Sequence, residues 1–232
     1  VEHGAGAGIG LTDNDYQQAG AIIVDLACDI FAQADMIIKV KEPQFDERLI
    51  LRPNQILFTY LHLAPDQLQT KALIDSGAIC IAYETVAGRM AVQVGAHALE
   101  KKQGGMGVLL GGVPGVSPAN VVVLGGGVVG INAARMAMGL GADVTIIDKS
   151  LARLKILDEH FGPGLKTLYS TSDMVERVLS HADLIIGAVL IPGRTAPKLV
   201  TKAMLANLKR GSVLVDVAID QGGCFETSRP TT

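Results

Sequence analysis

Residues 120–148 read NVVVLGGGVVGINAARMAMGLGADVTIID, and this stretch decides the fold. NVVVL (120–124) is a continuous apolar run, as a strand shows when a parallel sheet buries both of its faces. Beyond it Val129, Ala133, Ala134, Ala137 and Leu140 fall on one helical face, and Gly139 and Gly141 supply the stop. DVTIID (143–148) is a second buried strand. Between the first strand and the helix lies Gly125-Gly126-Gly127-Val128-Val129-Gly130, which fits G-x-G-x-x-G. In a chain of 232 residues with 27 glycines that pattern is weak by itself. Here it follows a strand and opens a helix, the context in which it binds a dinucleotide. Gly125 permits the tight turn, Gly127 lets the backbone approach a pyrophosphate, and Gly130 lets helix and strand pack closely. The helix N-terminus faces the negative charge. An acidic residue is expected about 20 positions on, at the end of the second strand, and Asp148 stands there. A carboxylate accepts hydrogen bonds from ribose hydroxyls and repels a 2′-phosphate, so NAD is expected rather than NADP. Lys149 and Arg153 are near enough to swing toward a phosphate, or to stay on a solvated helix face.

The pattern repeats toward the C-terminus. SLARLKILDEHF (150–161) reads as an amphipathic helix and LKTLYS (165–170) as a strand. TSDMVERVLSHA (171–182) is a helix starting behind Ser170, with Asp173 as a capping-box partner. DLIIGAVL (183–190) and SVLVDVAI (212–219) are strands, separated by a helix over roughly 197–209. This alternation specifies a doubly wound parallel sheet of the Rossmann type. The N-terminal part is also α/β, with strand candidates at 21–26, 35–40, 55–60 and 78–83 and no glycine fingerprint before a helix. PDQLQTKALIDSG carries proline in the first turn of a helix. Residues 87–103 read as one long helix that bridges two domains, and 104–116 as a turn-rich linker. The expected organisation is an incomplete α/β substrate domain over 1–86 and a dinucleotide-binding domain over 87–232.

Composition narrows the function classes. Apolar residues make up 49% of the chain and charged ones 19%, the reverse of the balance that keeps a chain disordered. A net charge of −3 leaves no electrostatic footprint for nucleic acid or acidic membranes. Cys28, Cys80 and Cys224 are odd in number and widely spaced, against a disulfide framework or a zinc site, and no metal is expected. Gly or charge breaks every apolar run before it reaches the length of a membrane span. A cytoplasmic location is expected.

In an open α/β sheet the ligand lies beyond the carboxyl ends of the strands. That directs attention to Ser170, to Ala188-Val189-Leu190, and to Val217-Ala218-Ile219-Asp220. Asp220 follows an apolar strand, where partial burial can raise a carboxyl into the range of a general base; D-Q-G-G is equally a turn sequence. In the first domain Lys39 and Lys41 close a strand, on one face by alternation. A lysine there can bind a substrate carboxylate or simply solubilise a loop. His62 follows the apolar QILFTYL and precedes a helix, at a strand end facing an expected interdomain cleft. His3, His97, His160 and His181 have no such context.

IIKVKEP (37–43), ILFTYLHLAPD (56–66), AGRMAVQVGA (87–96), GGMGVLLGGVPGV (104–116), VLGGGVVGINAA (123–134), GAVLIPGRTAPKLVT (187–201) and VDVAIDQGGCFETSRPTT (215–232) resemble the L-alanine dehydrogenase family. The likeness runs through the whole chain, and VAIDQGG with LHLAPD is its specific part. The same family includes the NAD-binding subunit of proton-translocating transhydrogenase, whose corresponding segment lacks the aspartate of AIDQGG. The resemblance implies reversible oxidative deamination of L-alanine to pyruvate and ammonia with NAD. Lys41 matches the lysine that binds substrate oxygens, His62 the general acid/base, and Asp220 the aspartate that handles protons. Gly125, Gly127, Val128, Val129, Gly130, Asp148, Arg153, Ser170, Val189, Leu190, Val217, Ala218, Ile219, Asp220 and Arg229 match cofactor-contact positions. It also implies a homo-oligomer, usually a hexamer. The alternative is an NAD(H)-binding fragment or transhydrogenase-related subunit without alanine turnover. Family members carry active-site segments before Val1, after Thr232, and in a loop between Val86 and Ala87. This sequence is therefore expected to be the ordered part of a longer chain, unless Val86 and Ala87 are bonded neighbours.

Overall fold

In the computed structural model every sheet is parallel, and the chain divides into two units, Val1–Tyr83 and Glu84–Thr232. The structure describes residues 1–63, 66–190 and 195–229, Asp220 by its backbone alone.

The first unit runs α1 (Asp13–Gln18), α2 (Ala27–Gln33), β1 (Met36–Ile38), α3 (Phe45–Leu49), β2 (Ile56–Thr59), α4 (Gln67–Ser76) and β3 (Ile79–Ala82). The strands lie in the order β1-β2-β3, with Ile37 opposite Leu57 and Leu57 opposite Cys80. Phe31, Ile37, Leu51, Leu57, Leu61 and Leu73 form its core. Gln55 is buried among them, and its side-chain amide donates to the Phe31 and Ala34 carbonyls at 2.8 and 2.7 Å. These bonds satisfy carbonyls that the end of α2 leaves without a helical partner.

Two expectations fail in this unit. Residues 21–26 form no strand beyond a single bridge from Val24 to Glu2. An apolar run becomes a strand only where neighbours cover it, and Ile22 and Leu26 are exposed. The helix α4 is capped by Asp66, whose carboxylate accepts the Gln69 N–H at 2.8 Å, so it begins at Gln67. The proline therefore precedes the cap instead of occupying the first turn; Ala64 and Pro65 themselves lie outside the described residues.

The second unit runs α5 (Tyr83–Ala98), β4 (Asn120–Leu124), α6 (Val128–Gly139), β5 (Asp143–Asp148), α7 (Leu151–Phe161), β6 (Leu165–Tyr169), α8 (Ser172–Leu179), β7 (Leu184–Gly187), α9 (Lys202–Leu205) and β8 (Val213–Asp216). Val86 and Ala87, between which a loop is expected, sit inside α5, which runs through them without a break. A Cβ on Gly88 would lie 2.2 Å from the Val129 carbonyl oxygen, so α5 packs directly against the start of α6. The strand order is β6-β5-β4-β7-β8, the doubly wound order expected. Val121 and Val123 enter the core layer that contains Ala133, Ala134 and Ala137. Val122 and Leu124 enter the opposite layer with Val175 and Leu179. That two-sided burial is why NVVVL shows no polar alternation.

Two boundaries differ from expectation. The cap of α8 is Thr171, whose hydroxyl accepts the Met174 N–H at 3.2 Å. Ser170 instead extends the sheet pattern, donating its N–H to the Asp148 carbonyl at 3.0 Å. The helix expected over 197–209 contracts to α9. The segment before it is drawn into backbone pairing with the chain beyond β8: Ala196 N–H to Gln221 at 2.7 Å, Leu199 N–H to Cys224 at 2.8 Å. Among the described residues no helix is long and apolar enough to cross a membrane.

Candidate functional site

The chain leaves β4 through Gly125, at φ +99, a conformation that disfavours any side chain. The Gly125 N–H donates to the Ile147 carbonyl at 2.8 Å. Gly126 is clipped on both sides. Its N–H donates to Asp148 Oδ2 at 2.7 Å, and its carbonyl accepts from the Arg153 guanidinium Nε. The other Asp148 oxygen accepts the Ser150 N–H at 2.8 Å, while the Ser150 hydroxyl caps α7. A Cβ on Gly130 would meet the Gly125 carbonyl oxygen at 1.8 Å, so the helix touches the turn there. At Gly127 a Cβ would meet nothing within 4 Å.

That open position is also the N-cap of α6, and it has no side chain to cap with. The first N–H groups of the helix have no intrahelical acceptor, and the helix dipole puts partial positive charge at the same end. The donors and the space fit a dinucleotide pyrophosphate, and each Asp148 oxygen keeps a lone pair for a ribose hydroxyl.

The other expected cofactor positions lie past the carboxyl ends of the same strands. Ala188 N–H bonds the Leu124 carbonyl at 2.8 Å across the switch point between β4 and β7. Val189 lies so near Gly125 that a Cβ there would come 2.8 Å from its Cγ2. Val189, Leu190 and Ser170 are half-buried, and Val217 donates its N–H to Gly187 at 2.9 Å. Val128 is about half exposed, whereas Val129 and Gly130 are buried and can offer a ligand only backbone. Ala218 is buried, Ile219 and Asp220 lie in a short 3-10 turn, and Arg229 is exposed. The Asp220 side chain lies outside the described residues. Arg153 is half-buried, and its Nε donates to the Gly126 carbonyl, which leaves the terminal guanidinium nitrogens beside the glycine turn.

In the first unit the two lysines part company. β1 ends at Ile38, so strand alternation does not extend to them. Lys39 forms an ion pair with Glu47 of α3. Lys41 is exposed and has no ion pair among the described residues, while its carbonyl accepts the Thr59 hydroxyl at 2.7 Å. His62 is half-buried, at φ +45, with its ring stacked on Tyr60 at 5.8 Å. The neighbouring Leu61 carbonyl accepts from the buried Gln69 amide. Lys41 and His62 thus leave the carboxyl edge of two adjacent parallel strands. Among the described residues no group of three or more His, Cys, Asp or Glu could hold a metal ion. Reading the sequence missed Thr59, Gln69, Lys198 and Asp216, which act on backbone groups distant in sequence. Only the lone charge of Asp216 within SVLVDVAI signalled any of them.

The all-parallel sheet, the glycine turn and Asp148 define a Rossmann dinucleotide-binding protein with a second α/β unit. Two family models cover the chain: alanine dehydrogenase/PNT, N-terminal domain, over residues 1–98, and alanine dehydrogenase/PNT, C-terminal domain, over 91–232. The chain belongs to the alanine dehydrogenase/PNT family. It is 57% identical to the alanine dehydrogenase of Halomonas elongata and 52% identical to that of Mycobacterium tuberculosis, in each case over 100% of this chain and 67% of the relative. The chain thus spans about two thirds of the length of these relatives. Each match extends over 248 positions, more than the chain's 232 residues, so the aligned region of the relative contains residues without a counterpart here. A solved L-alanine dehydrogenase matches with a TM-score of 0.65 and 49% identity, over 100% of this chain and 68% of that one. A transhydrogenase from Sinorhizobium meliloti is more distant, at 27% identity and a TM-score of 0.58 over 99% and 71%.

Proposed function

We propose that this chain serves NAD-dependent oxidative deamination of L-alanine to pyruvate and ammonia, a reversible reaction. The observation that carries the reading is the placing of Lys41 and His62 at neighbouring strand ends, in a chain 57% identical to an alanine dehydrogenase. A pure dinucleotide-binding subunit has no use for that pair. NAD, when bound, accepts the hydride from the substrate α-carbon. The first turn of α6 and Asp148 hold it through pyrophosphate and ribose. Lys41 binds the substrate carboxylate with an ammonium that no described side chain neutralises. His62 and Asp220 move protons as the tetrahedral carbinolamine forms and collapses, which requires an acid and a base at one carbon. Homo-oligomeric assembly, as a hexamer, and a cytoplasmic location belong to the same reading.

The test is NADH formation from L-alanine and NAD by the protein carrying this sequence, with NAD binding measured in parallel. Turnover that disappears in Lys41→Met and Asp220→Asn supports the assignment. NAD binding without turnover would leave the chain as a dinucleotide-binding subunit.

A further inference from the structure

We propose that Asp216 is a positioning residue for the strand-tip turn that carries Asp220, with Lys198 as its counterpart on the other side of the turn. The inference rests on the role given to Asp220 above and adds what places it. Asp216 is the last residue of β8, a carboxylate at the end of a strand whose other members are Val213, Leu214 and Val215. One of its oxygens accepts the Ala218 N–H at 3.2 Å. The other accepts the Phe225 N–H at 3.2 Å and the Ser228 hydroxyl. Lys198 donates to the carbonyls of Gly222 and Phe225, the latter at 3.1 Å. The Phe225 backbone is therefore held at its N–H by an anion and at its carbonyl by a cation. Residue 220 stands between anchors at 218 and 222, within the single 3-10 turn Ile219–Gln221.

Three donors converge on Asp216, and an ionised carboxylate can accept all three with no donor of its own to place. An asparagine must turn its NH2 toward at least one of those donors. Gly223 carries the imprint of the arrangement. At φ +77, a Cβ there would lie 2.6 Å from Asp216 Oδ2 and 2.9 Å from the Ser228 Cβ. The carboxylate fills the space beside the turn, so D-x-x-x-D-Q-G-G requires its first aspartate and its second glycine together.

Two predictions follow from position alone. Loss of one anchor lets residue 220 drift, and a displacement of about 1 Å at a reacting group costs on the order of 10²-fold in rate. The pH dependence also changes, because the carboxyl at 220 then sits in altered surroundings. A merely structural Asp216 would lower the melting temperature and the active fraction, but not kcat per folded site or the pH profile. The experiment uses Asp216→Asn, Ser228→Ala and Lys198→Met in the otherwise intact protein. kcat is normalised to NAD-binding sites, and the pH–rate profile is recorded for each. The expected result is a kcat at least tenfold lower with a displaced profile for Asp216→Asn, and a smaller loss of the same kind for the other two. Ser228→Ala and Lys198→Met decide the matter if Asp216→Asn does not fold. Unchanged kcat per site and unchanged profiles in the variants that fold would overturn the proposal, provided wild type turns over and Asp220→Asn does not. If wild type lacks turnover, or Asp220→Asn keeps it, the assignment of Asp220 fails and this inference with it.

Discussion

Replacing Gly130 by alanine puts a methyl carbon 1.8 Å from the Gly125 carbonyl oxygen, roughly half the 3.5 Å at which such atoms normally meet. The oxygen cannot step aside cheaply. Gly125 is tied to Ile147 through its N–H, and the next residue is clipped by Asp148 and Arg153. Overpacking of this kind costs about 1–3 kcal/mol, and the rigid neighbour places it at the upper end. Against that, alanine in place of glycine inside a helix gains about 1 kcal/mol. The net expectation is destabilisation by about 2 kcal/mol. Gly139, in the last turn of the same helix, provides the control. A Cβ there meets nothing within 4 Å, so Gly139→Ala keeps the gain of up to about 1 kcal/mol without the clash. Gly127→Ala separates fold from function. Its methyl has no neighbour either, yet it enters the space assigned to the pyrophosphate, so NAD affinity falls at least about tenfold while the fold loses no more than about 1 kcal/mol of capping. Urea unfolding of the three variants and titration with NADH fluorescence measure both quantities. Equal stability of Gly130→Ala and Gly139→Ala would refute the packing argument. Wild-type affinity in Gly127→Ala would refute the position of the pyrophosphate.

Asp148→Ala leaves the Gly126 and Ser150 N–H groups without their acceptor and removes the repulsion of a 2′-phosphate; the ratio of NAD to NADP affinity should fall, as competition binding would show. Lys41→Met should raise the KM for L-alanine with stability unchanged within about 0.5 kcal/mol, since the side chain is exposed. Lys39→Met should instead lower stability, because the largely buried Glu47 carboxylate loses its partner; denaturation midpoints of the two variants distinguish these outcomes. Burial pushes the Cys224 thiol up to about 11 from an ordinary 9.0. The unfolded chain then gives up this proton first, so stability is full below pH 9 and falls as pH rises toward 11, by about 3 kcal/mol in all. Cys224→Ala should flatten that alkaline decline, and a native Cys224 that reacts quickly with a thiol reagent at pH 8 would contradict the burial behind it.

The sequence by itself determined the unit from β4 to β5, with its glycine turn and Asp148. Those features are local: an apolar run, a 3.6-residue period, three glycines at fixed spacing and an acid at the next strand end. Both faces of β4 are buried, so nothing in its surroundings had to be known to read it. The strands before Lys41 and His62 were legible as apolar runs, although β1 stops at Ile38, short of both lysines. Tertiary structure decided the rest, wherever a residue's partner lies far along the chain. Thr171 rather than Ser170 caps α8, and Ser170 continues the sheet pairing through its N–H to the Asp148 carbonyl. The helix expected over 197–209 loses its start to tertiary pairing, where Leu199 and Val200 donate to the Cys224 carbonyl and Val200 accepts the Glu226 N–H. Lys39 and Lys41 are the same side chain two positions apart. Only the fold sets Glu47 beside one of them and leaves the other exposed. Asp216 has no periodic pattern to announce it, because its three donors come together only when the chain returns past β8 and closes on that carboxylate.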